Sequence, residues 1–394
     1  MKVSSNSYLK GYKVKIYPTE EQKQNIDRTI EIYRAVYNIG LDIQIENHKN
    51  GNKYISFFTM EKIFSKMRNY DPNYSWFNEI PMSIIREALA DLDTAYKCFF
   101  KKHNRFPLYK SRKRSKKAFG TRSDRCRCID NNIYISGIGY VNARHHHIPV
   151  GSRMYDTRIT FDGYNYWYTC MIETQMVDIS DVPRTDPVGI DVGIRNFVTT
   201  SNGDIYQLSD ISRLQKRLKR QQKRLSKFYN KYLTEAKRTK TKYEDIPKSK
   251  NMQKKLKEQR KTYDKIRNKR YTDIHNISKH IVEQNPSTIV MEDIRVRELE
   301  KDRWFKINYP YTYFFEIRRQ IEYKAMIRNI PVIIADSNYP SSQICSRCGN
   351  KHKIYSNKIF ICPVCGLRID RDLNAAYNLR NLAYQNVNST YEIA

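Results

Sequence analysis

No run of this chain is long and apolar enough to span a bilayer, and the opening MKVSSNSYLKGYKVKIYP lacks the apolar segment of a signal peptide. A cytoplasmic protein with no membrane role is expected. Acid is also scarce: 41 Asp and Glu stand against 72 Lys and Arg in 394 residues, a formal net charge of +31 that marks a binder of polyanions. An A+T-rich coding sequence accounts for the abundance of Lys, Asn, Ile and Tyr, but not for so large an excess over the acids. A membrane surface is the other polyanion, yet no helix pairs a Lys/Arg face with a strong Trp/Phe/Leu face, so nucleic acid is favoured. A secreted disulfide framework is missing too. Cys98, Cys126, Cys128 and Cys170 are scattered and read as buried or incidental thiols in a reducing interior.

The length allows two or three domains. YLKGYKVKIYP predicts a strand, and Thr19 with Gln22 predicts a capping box for a helix carrying Ile26, Ile30, Tyr33, Val36 and Tyr37 on one face. Further helices reach about Phe100. From about residue 105 short strands with basic punctuation take over, ending in a Tyr-rich hairpin near 155 to 178. The pattern reads as a helical lobe inserted into a small β domain. DISDVPRTDP, with Pro183 and Pro187, is a linker to the second half. His145, His146 and His147 would alternate faces on a strand, so phosphate or solvent contact is expected rather than a shared metal ion.

After the linker, VGIDVGIRNFVTTSNGDIYQL gives an apolar strand, a turn and a return strand. STIVMEDI and IPVIIAD give two more strands, the second preceded by a helix near 312 to 328, and NAAYNLRNLAYQ gives a terminal helix. That is the order of an RNase H-like fold, in which carboxylates of the first strand, a later strand and the last helix meet at one sheet edge. Asp191, Glu292 and Asp372 occupy those places. Phosphodiester cleavage by a metal-activated water, with a second ion on the departing oxygen, needs several carboxylates around Mg²⁺ or Mn²⁺. Singly, each acid has a bland explanation as a solvated strand end or, for Asp372, a helix cap. Asp293 should face away from Glu292. Asp370, two residues from Asp372, remains a rival.

Cys345, Cys348, Cys362 and Cys365 form two CxxC turns framing a short polar hairpin, the spacing of a closed tetrahedral Zn²⁺ site with no room for substrate. Redox motifs or disulfides are the alternative, but a redox CxxC belongs on a βαβ unit. So small an element has almost no apolar core, and the metal would supply most of its folding energy. Residues 213–270 carry 24 Lys and Arg against 5 acids, with Leu214, Leu218, Leu225 and Tyr229 at near-helical spacing. A hairpin that packs on one face and meets RNA or a heteroduplex on the other is favoured over a merely solvated one.

GIDVGIRN, IVMEDI, the two CxxC pairs and DRDLNAAYN together resemble the TnpB family of transposon-encoded, RNA-guided DNA endonucleases, which are related to compact type V CRISPR effectors. KGYKVKIYPTEEQ and FPLYKSR extend the similarity over nearly the whole chain. The resemblance carries the family's catalytic, Mg²⁺-binding acids onto Asp191, Glu292 and Asp372 and its zinc ligands onto the four cysteines, without a departure at any of the seven. It implies an α/β multidomain protein. A β-barrel wedge domain (1–18 and 105–180) would hold a helical recognition lobe (19–104), followed by a RuvC-like, RNase H-like nuclease domain (181–340 and 367–394) interrupted by a zinc ribbon (341–366). It further implies a guide RNA from the transposon end, a double-stranded DNA target cut beside a short flanking motif, and a nucleoid-associated place in the cytoplasm. Alternatives are a compact type V CRISPR effector, a guide-dependent regulator or transposition accessory protein that binds without cutting and, more remotely, a guide-independent resolvase. A regulator would be expected to lose an acid, and this chain keeps all three.

Overall fold

A computed structural model of the chain describes residues 7–112, 115–121, 126–144, 147–149, 151–176, 181–193, 196–241, 246–293, 312–336, 338–352 and 358–391. They belong to two units, Met1–Gln175 and Met176–Ala394.

In the first unit β1 (Ser7–Ile16) leads into α1 (Glu20–Lys49). Thr19 sets the entry: its hydroxyl accepts the Gln22 N–H at 3.2 Å while Gln22 Oε1 accepts the Thr19 N–H at 3.0 Å, the reciprocal capping box read from the sequence. Ile26, Ile30, Tyr33, Val36 and Tyr37 are all buried along the helix that follows. After α2 (Phe57–Tyr70), a 3-10 segment (Pro72–Glu79) and α3 (Met82–Phe100) come β2 (Lys117–Thr121), β3 (Arg127–Ile129), β4 (Asn132–Ile135), β5 (Gly139–Asn142), β6 (Met154–Phe161) and β7 (Tyr166–Gln175). One antiparallel sheet has the order β1-β7-β6-β2 and a smaller one the order β3-β4-β5. The three helices are therefore strung between two strands of the same sheet. Val14, Phe119, Ile159 and Tyr168 from the strands share one core with Ile26, Val36, Ile84 and Ile85 from the helices. Cys126, Cys128 and Cys170 are buried in it, and desolvation pushes the Cys128 thiol up to about 11 and that of Cys170 up to about 12, as suits inert packing thiols. His145 and His146 lie outside the described residues.

The second unit contains β8 (Val188–Asp191), β9 (Val198–Thr200), β10 (Ile205–Tyr206), α4 (Ser212–Thr239), α5 (Lys250–Glu283), β11 (Ile289–Glu292), α6 (Thr312–Ile327), β12 (Val332–Ala335), β13 (Ile359–Ile361), β14 (Arg368–Asp370) and α7 (Arg371–Tyr391). Its main sheet has the order β10-β9-β8-β11-β12, with β8, β11 and β12 parallel and β9 and β10 antiparallel. Parallel strands need cover on both faces, and the period-two alternation of a strand sorts the side chains between two covers. Val188, Ile190, Ile289 and Met291 join Ile274, Ile277 and Ile281 of α5 and Ile317 and Ile321 of α6. Val290 instead meets Leu379 and Ala383 of α7. Gly189 shares that α7 face: a Cβ there would lie 2.0 Å from the Ala376 carbonyl oxygen and 2.4 Å from the Arg380 nitrogen, so only glycine admits the helix at this depth.

The basic hairpin of α4 and α5 closes on Leu225, Tyr232 and Met252, with Phe228, Tyr229 and Leu256 half-buried beside them. Leu214 and Leu218, expected on the same stripe, are only half-buried because the hairpin's packed contacts begin further along α4, at Leu225. Among the described residues no helix is long and apolar enough to cross a membrane.

Candidate metal centre and acidic cavity

The alternation that turns Gly189 and Val290 toward α7 turns Asp191 and Glu292 the same way, two residues further along each strand. β8 and β11 run parallel with Ile190 beside Met291, so the two carboxylates end neighbouring strands at one edge. Helix α7 starts at that edge with Asp372 in its first turn, and Asp372, Ala376, Leu379 and Ala383 follow a helical stripe toward the sheet. Asp191, Glu292 and Asp372 accordingly line one cavity of about 380 Å³, with Arg371, Tyr339 and Ser342 among its other walls.

The rival acids have other occupations. Asp370 Oδ1 accepts the backbone N–H groups of Asp372 at 2.9 Å and Leu373 at 3.3 Å, so Asp370 is the cap of α7. Asp372 Oδ2 accepts the Asn196 side-chain N–H at 3.2 Å. Asp293 accepts a 2.7 Å hydrogen bond from Arg318 Nη1. Asn196 was missed in the sequence. Its side chain reaches Asp372 across 176 positions, a pairing no local pattern signals.

Burial dominates the electrostatics, and crowding of acid adds to it. Desolvation and then the neighbouring charges of Asp372 and Glu292 push Asp191 up to about 8, with Arg371 acting in the opposite sense. Burial and Asp293 raise Glu292 as well. Three convergent carboxylates, with Asp191 and Glu292 both raised, make an oxygen-donor set suited to hard divalent cations. A pH dependence follows. An unfolded Asp titrates near about 3.9, so between about pH 4 and about 8 the folded chain binds the extra proton, and stability must fall as pH rises through that window. Metal-free protein should melt lower at about pH 8 than at about pH 5, with Mg²⁺ recovering most of the loss. Asp191→Asn should flatten the metal-free slope, and an unchanged slope in that variant would refute the assignment.

The four cysteines also converge, with their sulfurs all within 4.8 Å of one another. Gly349 and Gly366, directly after each CxxC, have φ of 74° and 69° and donate backbone N–H groups to the carbonyls of Cys345 and Cys362, closing two matching knuckles. Backbone N–H groups of Cys365 and Val364 aimed at Cys362 lower its pKa toward the thiolate that a cation requires. β13 and β14 pair antiparallel beneath the knuckles. The cluster is tied to α7 by two asparagines. Asn374 donates to the Ile344 carbonyl at 2.7 Å and accepts the Ser346 N–H at 3.0 Å, and Asn378 donates to the carbonyls of Ser341 and Ile344 at 2.7 Å each. Both are fully buried polar residues one helical turn apart on α7. A polar pair at that spacing amid alanines is the signal that could have found them.

Three family models match the chain: "Helix-turn-helix domain" of the OrfB_IS605 group over residues 6–53, "Probable transposase" of the same group over 170–303, and "Cas12f1-like, TNB domain" over 314–379. In the structure the first of these spans β1 and the single helix α1. Two curated proteins named "Putative RNA-guided DNA endonuclease" align over 94% of this chain at 26% identity: InsQ of Escherichia coli K12, over 91% of its length, and one from Streptomyces pristinaespiralis, over 88%. Among solved structures, the protein in a cryo-EM Cas12f1–sgRNA–target DNA complex superposes with a TM-score of 0.50 at 14% identity, covering 96% of this chain and 99% of that one, a likeness of mixed α/β fold. The chain is thus similar to both OrfB_IS605 models and, along almost its whole length, to relatives named as RNA-guided DNA endonucleases, which supports the TnpB resemblance.

Proposed function

We propose that this protein is an RNA-guided DNA endonuclease, encoded by a transposon, that cuts double-stranded DNA beside a short flanking motif. The observation that carries the chemistry is the convergence of Asp191, Glu292 and Asp372 in one cavity at the end of parallel strands. The names borne by the full-length relatives support the guide.

The sheet order β10-β9-β8-β11-β12 with α7 across it supports a RuvC-like, RNase H-like nuclease domain over 181–340 and 367–394. The Cys345, Cys348, Cys362 and Cys365 cluster is its structural zinc ribbon, 341–366. The helices between β1 and β2 are the recognition lobe, 19–104, and the surrounding strands the wedge domain, 1–18 and 105–180. Asp191, Glu292 and Asp372 would hold two Mg²⁺ or Mn²⁺ ions, which when bound supply an activated water and stabilise the departing oxygen. Asn196 orients the Asp372 carboxylate, and Gly189 fixes the depth at which α7 delivers it. The exposed faces of α4 and α5, basic along most of their length, hold the backbone of guide RNA or of its heteroduplex, leaving sequence reading to base pairing. Such a protein works where DNA is, in association with the nucleoid.

A guide exchange tests this. With Mg²⁺ present and the flanking motif kept, altering the guide segment of the bound RNA should move cleavage to the newly matched target. Cutting that ignores the guide would point to a resolvase, and guide-directed binding without cutting to a regulator.

A further inference from the structure

A second cavity in the same unit, of about 560 Å³, shares no lining residue with the acidic one. It lies between the first cysteine knuckle, the turn after β9 and the flank of α7. Arg347 and Arg380 line it with the hydroxyl and amide groups of Ser201, Asn202, Ser346 and Asn381, and no carboxylate is among its described lining residues. Walls of this chemistry offer hydrogen-bond donors and positive charge together.

Arg380 gives the more specific sign. Its Nε is buried with no hydrogen-bond partner among the described residues, although a charged donor left unmet is costly. Its guanidinium lies 5.0 Å from the centroid of the Tyr377 ring, which also lines the cavity and limits how far the arginine can swing. Ser201 Oγ already accepts the Gly189 N–H at 3.1 Å, so its own proton is turned to donation elsewhere. What is missing is an acceptor. A tetrahedral oxyanion offers several, in the spacing that a guanidinium fork engages two at a time.

We propose that this cavity is an anion seat, in which Arg347 and Arg380 hold one phosphate group of a nucleic-acid strand. The proposal deepens the nuclease reading by adding a backbone contact away from the acids, and it predicts occupancy whether or not the chain cuts.

Arginine-selective modification by phenylglyoxal, read residue by residue through peptide mass spectrometry, tests it. The full-length Asp191→Ala protein in EDTA removes cleavage from the readout. Single-stranded DNA should slow modification of Arg347 and Arg380 together by about tenfold relative to chloride at equal ionic strength. Arg347→Ala removes an exposed side chain, and protection of Arg380 should drop with it while other protected arginines keep theirs. Equal protection by inorganic phosphate at the same phosphate concentration would overturn the strand assignment in favour of a free anion. Unprotected Arg380 in the presence of DNA would overturn the seat itself, and would do so even if the guide-exchange experiment succeeds.

Discussion

Asp191→Ala, Glu292→Ala and Asp372→Ala should each lower cleavage of a guide-matched target by about a thousandfold or more, while guide and target binding should stay within about threefold of the parent. The asymmetry follows from what each residue touches. The three acids line a small cavity at the end of two strands and one helix, whereas binding of a polyanion draws on a surplus of 31 charges spread over the chain. Losing one carboxylate from a metal-binding set removes several kcal/mol of charge stabilisation in the transition state and barely alters that surplus. Asp370→Ala is the discriminating control. It deletes the cap of α7 at a cost of about 1 kcal/mol in stability but leaves the cavity's acids in place, so cleavage should largely survive. Dead Asp370→Ala beside an active Asp372→Ala would reverse the assignment.

That control also marks how far the sequence could be read. Order along the chain was enough to bring Asp191, Glu292 and Asp372 forward, because a parallel strand followed by a helix leaves few topologies. Two acids separated by one residue at a helix start cannot be told apart by pattern, since either carboxylate can cap. Only the hydrogen bonds from the Asp372 and Leu373 N–H groups decide it. The Thr19–Gln22 capping box was legible for the opposite reason: both partners lie within one turn, so local chemistry fixes the geometry. Gly189 was unremarked within GIDVG because the reason for it, a backbone nearly touching from 187 positions away, belongs to α7 and not to β8. The α4 stripe was half legible: periodicity located an apolar face but not where along the helix its partner begins.

Removing zinc from the proposed ribbon should have the second large effect. Phe360 is the large fully buried side chain of the cysteine cluster, with Leu367 and Ile369 half-buried against it. Burying such a side chain is worth about 1.5–3 kcal/mol, against about 10–16 kcal/mol of apparent free energy for structural zinc in comparable small modules. A zinc ion held by the four cysteines would therefore decide whether the knuckles fold. Pure protein should contain about one zinc per chain, and Cys345→Ser or Cys365→Ser should release it, with amide exchange across the hairpin rising toward unprotected rates. The consequence should reach the acids. Asn374 and Asn378 fasten the segment from Ser341 to Ser346 onto α7, two and six positions beyond Asp372, and Ser341 and Ser342 line the acidic cavity. Loss of the ribbon therefore loosens one wall of that cavity and the first turns of the helix carrying its third carboxylate. Cleavage should fall by about a hundredfold, with guide binding preserved. Zinc-free protein that cuts at the full rate would break the link between ribbon and cavity.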